Sequence, residues 1–421
     1  MSKKIKLLFY GDSPSCATGF GTVSRNILVP LHQSGRFDIT VLGINYWGIP
    51  HDFPFPIWPV GIGPGSDPYG RERIQQQIAN SEFDILFMIQ DSFILEFAKD
   101  FIPKLKNMGK KFASVVYFPI DGVPKKEWVE AMSAFDFPVT YTRWGKSECV
   151  SLVPEIEDRL QVMPHGVNVS DYYPVPTHEM VKFRSTYFGP FYDHFIWCNV
   201  NRNQQRKDIP KAMLAFKKFK EMVPKTVLYL HMSPIDQGWD LPKVAESMGL
   251  VVGRDIVFPH NFGPNQGFPR HILNLIYNAS DCVLSTTLGE GWGLSTVEAM
   301  ATKTPILFPS NTSLHEIIGD DRGVFIESGA DLEHYMVLPN DNEVVRPTVS
   351  VADMIQKMLF IYENEYIRDK VAHNAYEWVT NTLIWDKHIV PGWVEILDRA
   401  YTHVSEQVSA DTADGVVAEE L

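Results

Sequence analysis

A chain of 421 residues, 45% of them hydrophobic, has material for more than one core, and two domains are the natural division. A formal charge of −13 argues against a generic nucleic-acid coat or an anionic membrane surface as the main partner. The four cysteines, Cys16, Cys149, Cys198 and Cys282, are widely separated and suggest neither a disulfide framework nor a zinc site.

The N-terminus carries Lys3 and Lys4 and then a short, largely apolar run, too short for a secretory leader, so Ile5–Tyr10 is expected to be a buried first strand. A glycine-bearing loop and a helix at about Thr22–Ser34 follow, then a strand at Asp38–Leu42. Residues 45–70 are rich in Pro, Gly and aromatics and are expected to form an irregular excursion. Its Tyr46, Trp47, Phe53, Phe55 and Trp58 suit loop core or stacking on a sugar. Strands at Ile85–Ile89 and Phe112–Phe118 flank a helix near Phe93–Asn107, and Phe137–Thr142 precedes a helix from Trp144. The lysines at 104, 106, 110, 111, 125 and 126 fit a solvated helix face. Gln161–Met163 closes this half.

The alternation restarts at Phe195–Val200 and Ile209–Met222. It continues through Thr226–His231, Pro242–Met248, Ile256–Phe258, Arg270–Asn278, Cys282–Ser285, Leu294–Ala301 and Pro305–Phe308. Helices dominate from Val351 to about Ser405. Two successive strand–helix alternations imply two parallel sheets covered by helices. The expected division is 1–168 as the first domain, 169–194 as a linker with Pro174, Pro176 and Pro190, and 195–384 as the second domain. A helix at about 385–404 is expected to pack back on the first domain. The tail 405–421, with five acids and no base, is expected to be disordered. No stretch approaches the ~20 apolar residues of a membrane span, and a cytoplasmic location is expected.

The chemistry lies in loops that follow strands. In Leu288-Gly289-Glu290-Gly291-Trp292-Gly293-Leu294-Ser295, three glycines precede a good helix former, which places a helix N-terminus at about Leu294. Such a terminus favours an anion, most often a phosphate. Glu290 and Glu298 cannot bind that anion but can accept from hydroxyls beside it. Phosphate next to hydroxyls describes a sugar nucleotide. Arg202 and Lys207, five residues apart after the strand at Phe195–Val200, can clamp a diphosphate from two sides. Gly19 and Gly21 in the first loop permit close approach to a phosphate, or simply a tight turn. His165, before Gly166, suits a structural role better than a ligand or proton carrier.

Together these segments resemble the retaining glycosyltransferases of the GT-B fold, in the GT4-like family (glycosyl transferases group 1). Glu290 through Glu298 is similar to that family's E-x7-E motif. Arg202 and Lys207 have the spacing of its Gly-Arg-x4-Lys-Gly segment, with Asn201 and Asp208 in place of the glycines. Met163 to Pro174 is similar to its Pro-Asn-Gly-Val-Asp turn, with His165 for asparagine. The resemblance implies an α/β protein of two Rossmann-like, doubly wound parallel-sheet domains facing across a cleft. It implies a hexosyltransferase moving sugar from a nucleotide diphosphate to a hydroxyl acceptor, with no metal and no cofactor. Arg202 and Lys207 would stabilise the leaving diphosphate and Glu298 would hold the ribose. Glu290 would contact the transferred sugar, and Gly291, Trp292 and the amides of Gly293, Leu294 and Ser295 would receive the distal phosphate. Gly19 and Gly21 would close over the same group, and His165 would lie on the sugar or acceptor side. Many relatives carry a histidine where this chain has Pro119-Ile120-Asp121-Gly122, so Asp121 is the nearest polar substitute there. A nucleotide-sugar epimerase on the same fold, or an inactive sugar-nucleotide-binding scaffold, is the alternative. A saccharide or small molecule is the favoured acceptor, ahead of modified nucleic acid or lipid.

Overall fold

The computed structural model describes residues 3–61, 67–263 and 266–419, with side chains through 407. Residues 62–66 of the aromatic excursion, and 420–421 of the expected tail, lie outside the described residues. The chain divides into two units. One comprises Met1–Ile120, Pro124–Gly166 and Trp385–Leu421, the other Asp121–Val123 and Val167–Ile384.

In the first unit β1 (Ile5–Asp12) leads to α1 (Gly19–Gln33), β2 (Phe37–Ile44), β3 (Ile57–Pro59) and α2 (Arg71–Asn80). Then come β4 (Ile85–Ile89), α3 (Ala98–Asn107), β5 (Ala113–Phe118), α4 (Lys126–Ser133), β6 (Phe137–Thr140), α5 (Arg143–Leu152) and β7 (Gln161–Val162). The order across the sheet is β3-β2-β1-β4-β5-β6-β7, and every neighbouring pair is parallel. The central strands β4 and β5 are buried at every position, as strands covered on both faces must be.

The second unit contains α6 (Thr177–Tyr187), β8 (Phe195–Val200), α7 (Ile209–Met222), β9 (Thr226–His231), α8 (Leu241–Ser247), β10 (Ile256–Val257) and α9 (Arg270–Ala279). It continues with β11 (Cys282–Leu284), α10 (Leu294–Ala301), β12 (Ile306–Pro309), α11 (Leu314–Ile318) and β13 (Val324–Ile326). A hairpin, β14 (Tyr335–Val337) with β15 (Val345–Pro347), precedes α12 (Val351–Glu363) and α13 (Glu365–Thr382). The parallel order is β10-β9-β8-β11-β12-β13. Both sheets are doubly wound as the alternation implied. Each reverses its strand order at one point, β1/β4 in the first and β8/β11 in the second. Ligands of such sheets bind outside the carboxyl ends of the strands at that reversal.

The last helix, α14 (Val390–Glu419), groups with the first unit. Its Trp393 is fully buried, with ring centroids 4.9 Å from Phe87 and 4.7 Å from Tyr117. The backbone of most of the acidic segment from 405 therefore continues a helix, where a disordered tail is expected; its alanines and glutamates are good helix formers. The expected linker is likewise largely structured: α6 lies within 169–194, and Arg184 is paired with Asp281 at 3.2 Å. This helix buries only Met180 and so presents little apolar periodicity to read.

Candidate functional site

In the second unit the loops after β8 and β11 meet at the strand-order reversal. The first loop makes a short helical turn at Gln205–Lys207, and Asp208 takes a left-handed backbone (φ 44°) before α7 begins. The Thr286 hydroxyl donates to the carbonyls of Lys207 (3.1 Å) and Asp208 (2.9 Å). The Leu288 amide donates to the Arg206 carbonyl at 2.8 Å, so the two loops are stitched together by backbone.

On this frame sits a compact ionic cluster. Lys207 Nζ donates to Glu290 Oε1, and both groups are almost completely buried. Arg206 Nη1 lies 3.8 Å from Glu290 Oε2 and donates to the Gly289 carbonyl, while its Nε is 3.4 Å from Asp121. Asp121 also receives Arg346 Nη1 at 3.1 Å, and Arg346 is held two-pronged by Asp341 at 2.7 and 3.1 Å. Burial opposes ionisation of Glu290, but Lys207 and Arg206 outweigh it and hold the carboxyl below its usual range. Asp121 behaves in the same way, with Arg206 and Arg346 outweighing its burial. For Lys207 burial wins over the pull of Glu290, and its pKa is lowered. Gly289 is required by packing: a Cβ there would stand 2.0 Å from the Asp121 carbonyl oxygen.

Four residues on, Gly293 is left-handed (φ 88°), and a Cβ there would meet Thr296 Oγ1 at 2.8 Å. Helix α10 starts at Leu294 as expected, and no side chain caps it. The amides of Leu294 and Ser295 thus belong to an uncapped first turn that favours an anion. Gly291 is partly exposed beside the buried Trp292. Glu298 lies on the same helix, half-buried, and accepts from Tyr277 at 2.8 Å and from Tyr172. Burial raises its pKa to about 7 despite those two donors.

That shift has a measurable consequence. A folded pKa near 7 against an ordinary 4.5 means that the folded chain binds the extra proton between those values. Stability therefore falls as pH rises through this window, and the penalty is complete above pH 7. Glu298→Gln is expected to flatten the dependence and to gain about 1–3 kcal/mol over wild type at pH 8 relative to pH 4.5. Chemical denaturation across pH 4.5–8 measures it, and identical pH profiles would show that Glu298 is not a strained carboxylate.

The structure brings Lys207, Glu290 and Asp121 together but turns Arg202 elsewhere: its guanidinium binds Asp236 at 2.8 and 3.3 Å. Arg206, Arg346, Tyr172 and Tyr277 are additions that the sequence reading did not name. For Arg206 the signal was present, since it adjoins Lys207; nothing local marks the other three.

In the first unit α1 starts at Gly19, three residues earlier than expected. Thr18 caps it by accepting from the Gly21 amide at 2.9 Å, so that amide is already committed. A Cβ at Gly21 would be 2.7 Å from the Cys16 carbonyl, so close packing of the loop requires this glycine. Asp12, the last residue of β1, is a buried carboxylate at the strand-order reversal that the sequence did not mark as a site residue. It accepts from Thr18 (2.6 Å), Asn45 (3.2 Å) and Gln90 (3.3 Å), and burial raises its pKa. His165 is 3% exposed, with Nδ1 2.7 Å from the Tyr117 hydroxyl and its ring 4.1 Å from that of Tyr141. Burial pushes its pKa down to about 3, which keeps it neutral and makes it a core histidine of the first unit. In the excursion Tyr46 and Phe55 are buried as loop core, whereas Trp47 and Trp58 are exposed.

Among the described residues no cluster of His, Cys, Asp and Glu is arranged to hold a metal, and no helix is long and apolar enough to cross a membrane. No family model matches the chain. A 191-residue stretch is 23% identical to the alpha-monoglucosyldiacylglycerol synthase of Acholeplasma laidlawii, covering 45% of this chain and 46% of that protein. The chain spans less than half the length of the curated relatives it matches. Among solved structures, the sucrose-phosphate synthase of Thermosynechococcus elongatus superposes with a TM-score of 0.73 at 14% identity, over 95% of this chain and 100% of the other. HepE of Anabaena, in complex with UDP and glucose, gives 0.67 at 14% identity over 94% and 100%. The chain therefore has the GT-B fold and resembles the group 1 glycosyltransferases.

Proposed function

We propose that this protein is a retaining glycosyltransferase that moves a hexose from a nucleotide diphosphate to a hydroxyl acceptor. The observation that carries this reading is the buried Lys207–Glu290 pair, with Arg206 beside it, directly before the uncapped N-terminus of α10. Fixed cations and amides of this kind stabilise a departing diphosphate without reorganising at the moment of reaction. In the reaction, the bond from the anomeric carbon to the diphosphate oxygen breaks, and its electron pair stays on that oxygen. The acceptor oxygen bonds to the anomeric carbon from the same face, and its proton passes to the departing phosphate. Lys207 and an arginine of the same loop neutralise the charge that develops, so the step needs no metal. Glu298 accepts from the ribose hydroxyls, and Glu290 from the sugar once the diphosphate has drawn Lys207 away. The UDP and glucose held together by HepE nominate UDP-glucose as the first donor to try.

Thermal-shift screening of sugar nucleotides tests the reading. A donor at 100 times its Kd is expected to stabilise the fold by about 2.7 kcal/mol, a rise of several degrees. If no sugar nucleotide or nucleoside diphosphate raises the transition, the reading is wrong. Donor incubated without acceptor is expected to give only slow hydrolysis; a new nucleotide sugar would identify an epimerase instead.

A further inference from the structure

The family spacing nominates Arg202 as the partner of Lys207, but the two arginines of this loop are placed differently. Arg202 is gripped at two points by Asp236, whose side chain is only 5% exposed. Arg206 stands beside Lys207 on the same short turn, with its guanidinium against Gly289 and Glu290, the residues that lead into α10. We infer, on the sugar-nucleotide reading, that Arg206 rather than Arg202 is the second cation on the donor diphosphate.

The charge balance of the cluster supports this assignment. Arg206, Lys207 and Arg346 face Asp121, Glu290 and Asp341, so the cations are matched by carboxylates before any donor arrives. A diphosphate must then compete with those carboxylates. Arg346 is poorly placed to respond, being 4% exposed and held by Asp341 at 2.7 Å. Arg206 has longer ion pairs, 3.4 and 3.8 Å, a side chain 25% exposed, and a hydrogen bond to the Gly289 carbonyl that keeps its guanidinium at the entry to α10. Freed of its carboxylates, a guanidinium offers the forked donors that phosphate oxygens accept.

Calorimetric titration of the full chain with UDP, ADP and GDP and the three monophosphates decides the matter. Wild type is expected to prefer one diphosphate over its monophosphate by at least about tenfold. Arg206→Gln is expected to lower that preference about tenfold or more, and Arg206→Lys to keep most of it. Arg202→Gln is expected to change it less than about threefold. Loss in Arg202→Gln with no loss in Arg206→Gln overturns the inference and leaves the sugar-nucleotide reading standing. Wild type binding none of the six overturns that reading itself. Should Arg206→Gln fail to fold, Asp121→Asn loosens Arg206 without removing it. Tighter diphosphate with unchanged monophosphate is then expected, and unchanged or weaker diphosphate binding rejects the assignment.

Discussion

Replacing Lys207 with alanine is expected to lower turnover at saturating donor by about a thousandfold, at the upper end of the effect of removing one preorganised charge-stabilising group. It should also cost about 2–4 kcal/mol of stability. Removing one partner of a buried ion pair leaves the other charge uncompensated, at about 3–5 kcal/mol, and Arg206 at 3.8 Å softens that loss for Glu290. The two effects separate in the double variant Lys207→Ala with Glu290→Gln. It no longer buries a lone carboxylate, so stability returns while turnover stays low. Single-turnover kinetics and chemical denaturation read them independently. A double variant that regained turnover would remove Lys207 from the reaction.

Glu290→Gln should split binding from chemistry. Glu290 occupies Lys207 and faces Arg206, so on the proposed function a donor diphosphate competes with it for both cations. Neutralising it releases both cations, and nucleoside diphosphate is expected to bind about 5- to 10-fold tighter, the yield of weakening one charge-assisted contact. Transfer is expected to slow about a hundredfold if, as proposed, Glu290 is the carboxylate that accepts from the sugar. Calorimetry on the diphosphate alone and turnover on the complete reaction give the two numbers. Weaker diphosphate binding would show that Glu290 helps hold the nucleotide instead of competing with it.

Much of the second unit was legible in the residues. Gly293 before Leu294 announced the start of α10, because only glycine readily accepts the left-handed backbone found there. The runs Phe195–Val200 and Thr226–His231 are strands with the bounds expected, since both are apolar and short. The α6 segment escaped because a helix burying one residue carries almost no period. Asp121 stood out in the sequence as the polar residue of Pro119-Ile120-Asp121-Gly122. Its partner Arg346 lies 225 residues further on, in a hairpin whose strands have no alternating pattern strong enough to reveal them.

Sequence alone determined the fold class and the helix start after Gly293, because these follow from local periodicity and backbone freedom. It could not determine which arginine faces which acid. Arg202 and Arg206 are chemically identical and four residues apart. The turn at Gln205–Lys207, the left-handed Asp208 and the far-off Asp236 and Asp121 decide where each guanidinium points. Nor could it show the raised pKa of Glu298, which burial lifts against the opposing pull of tyrosines brought from two other segments. Spacing along a chain restricts what a side chain can reach; only the packed neighbours fix what it does reach, and with it the charge the side chain carries.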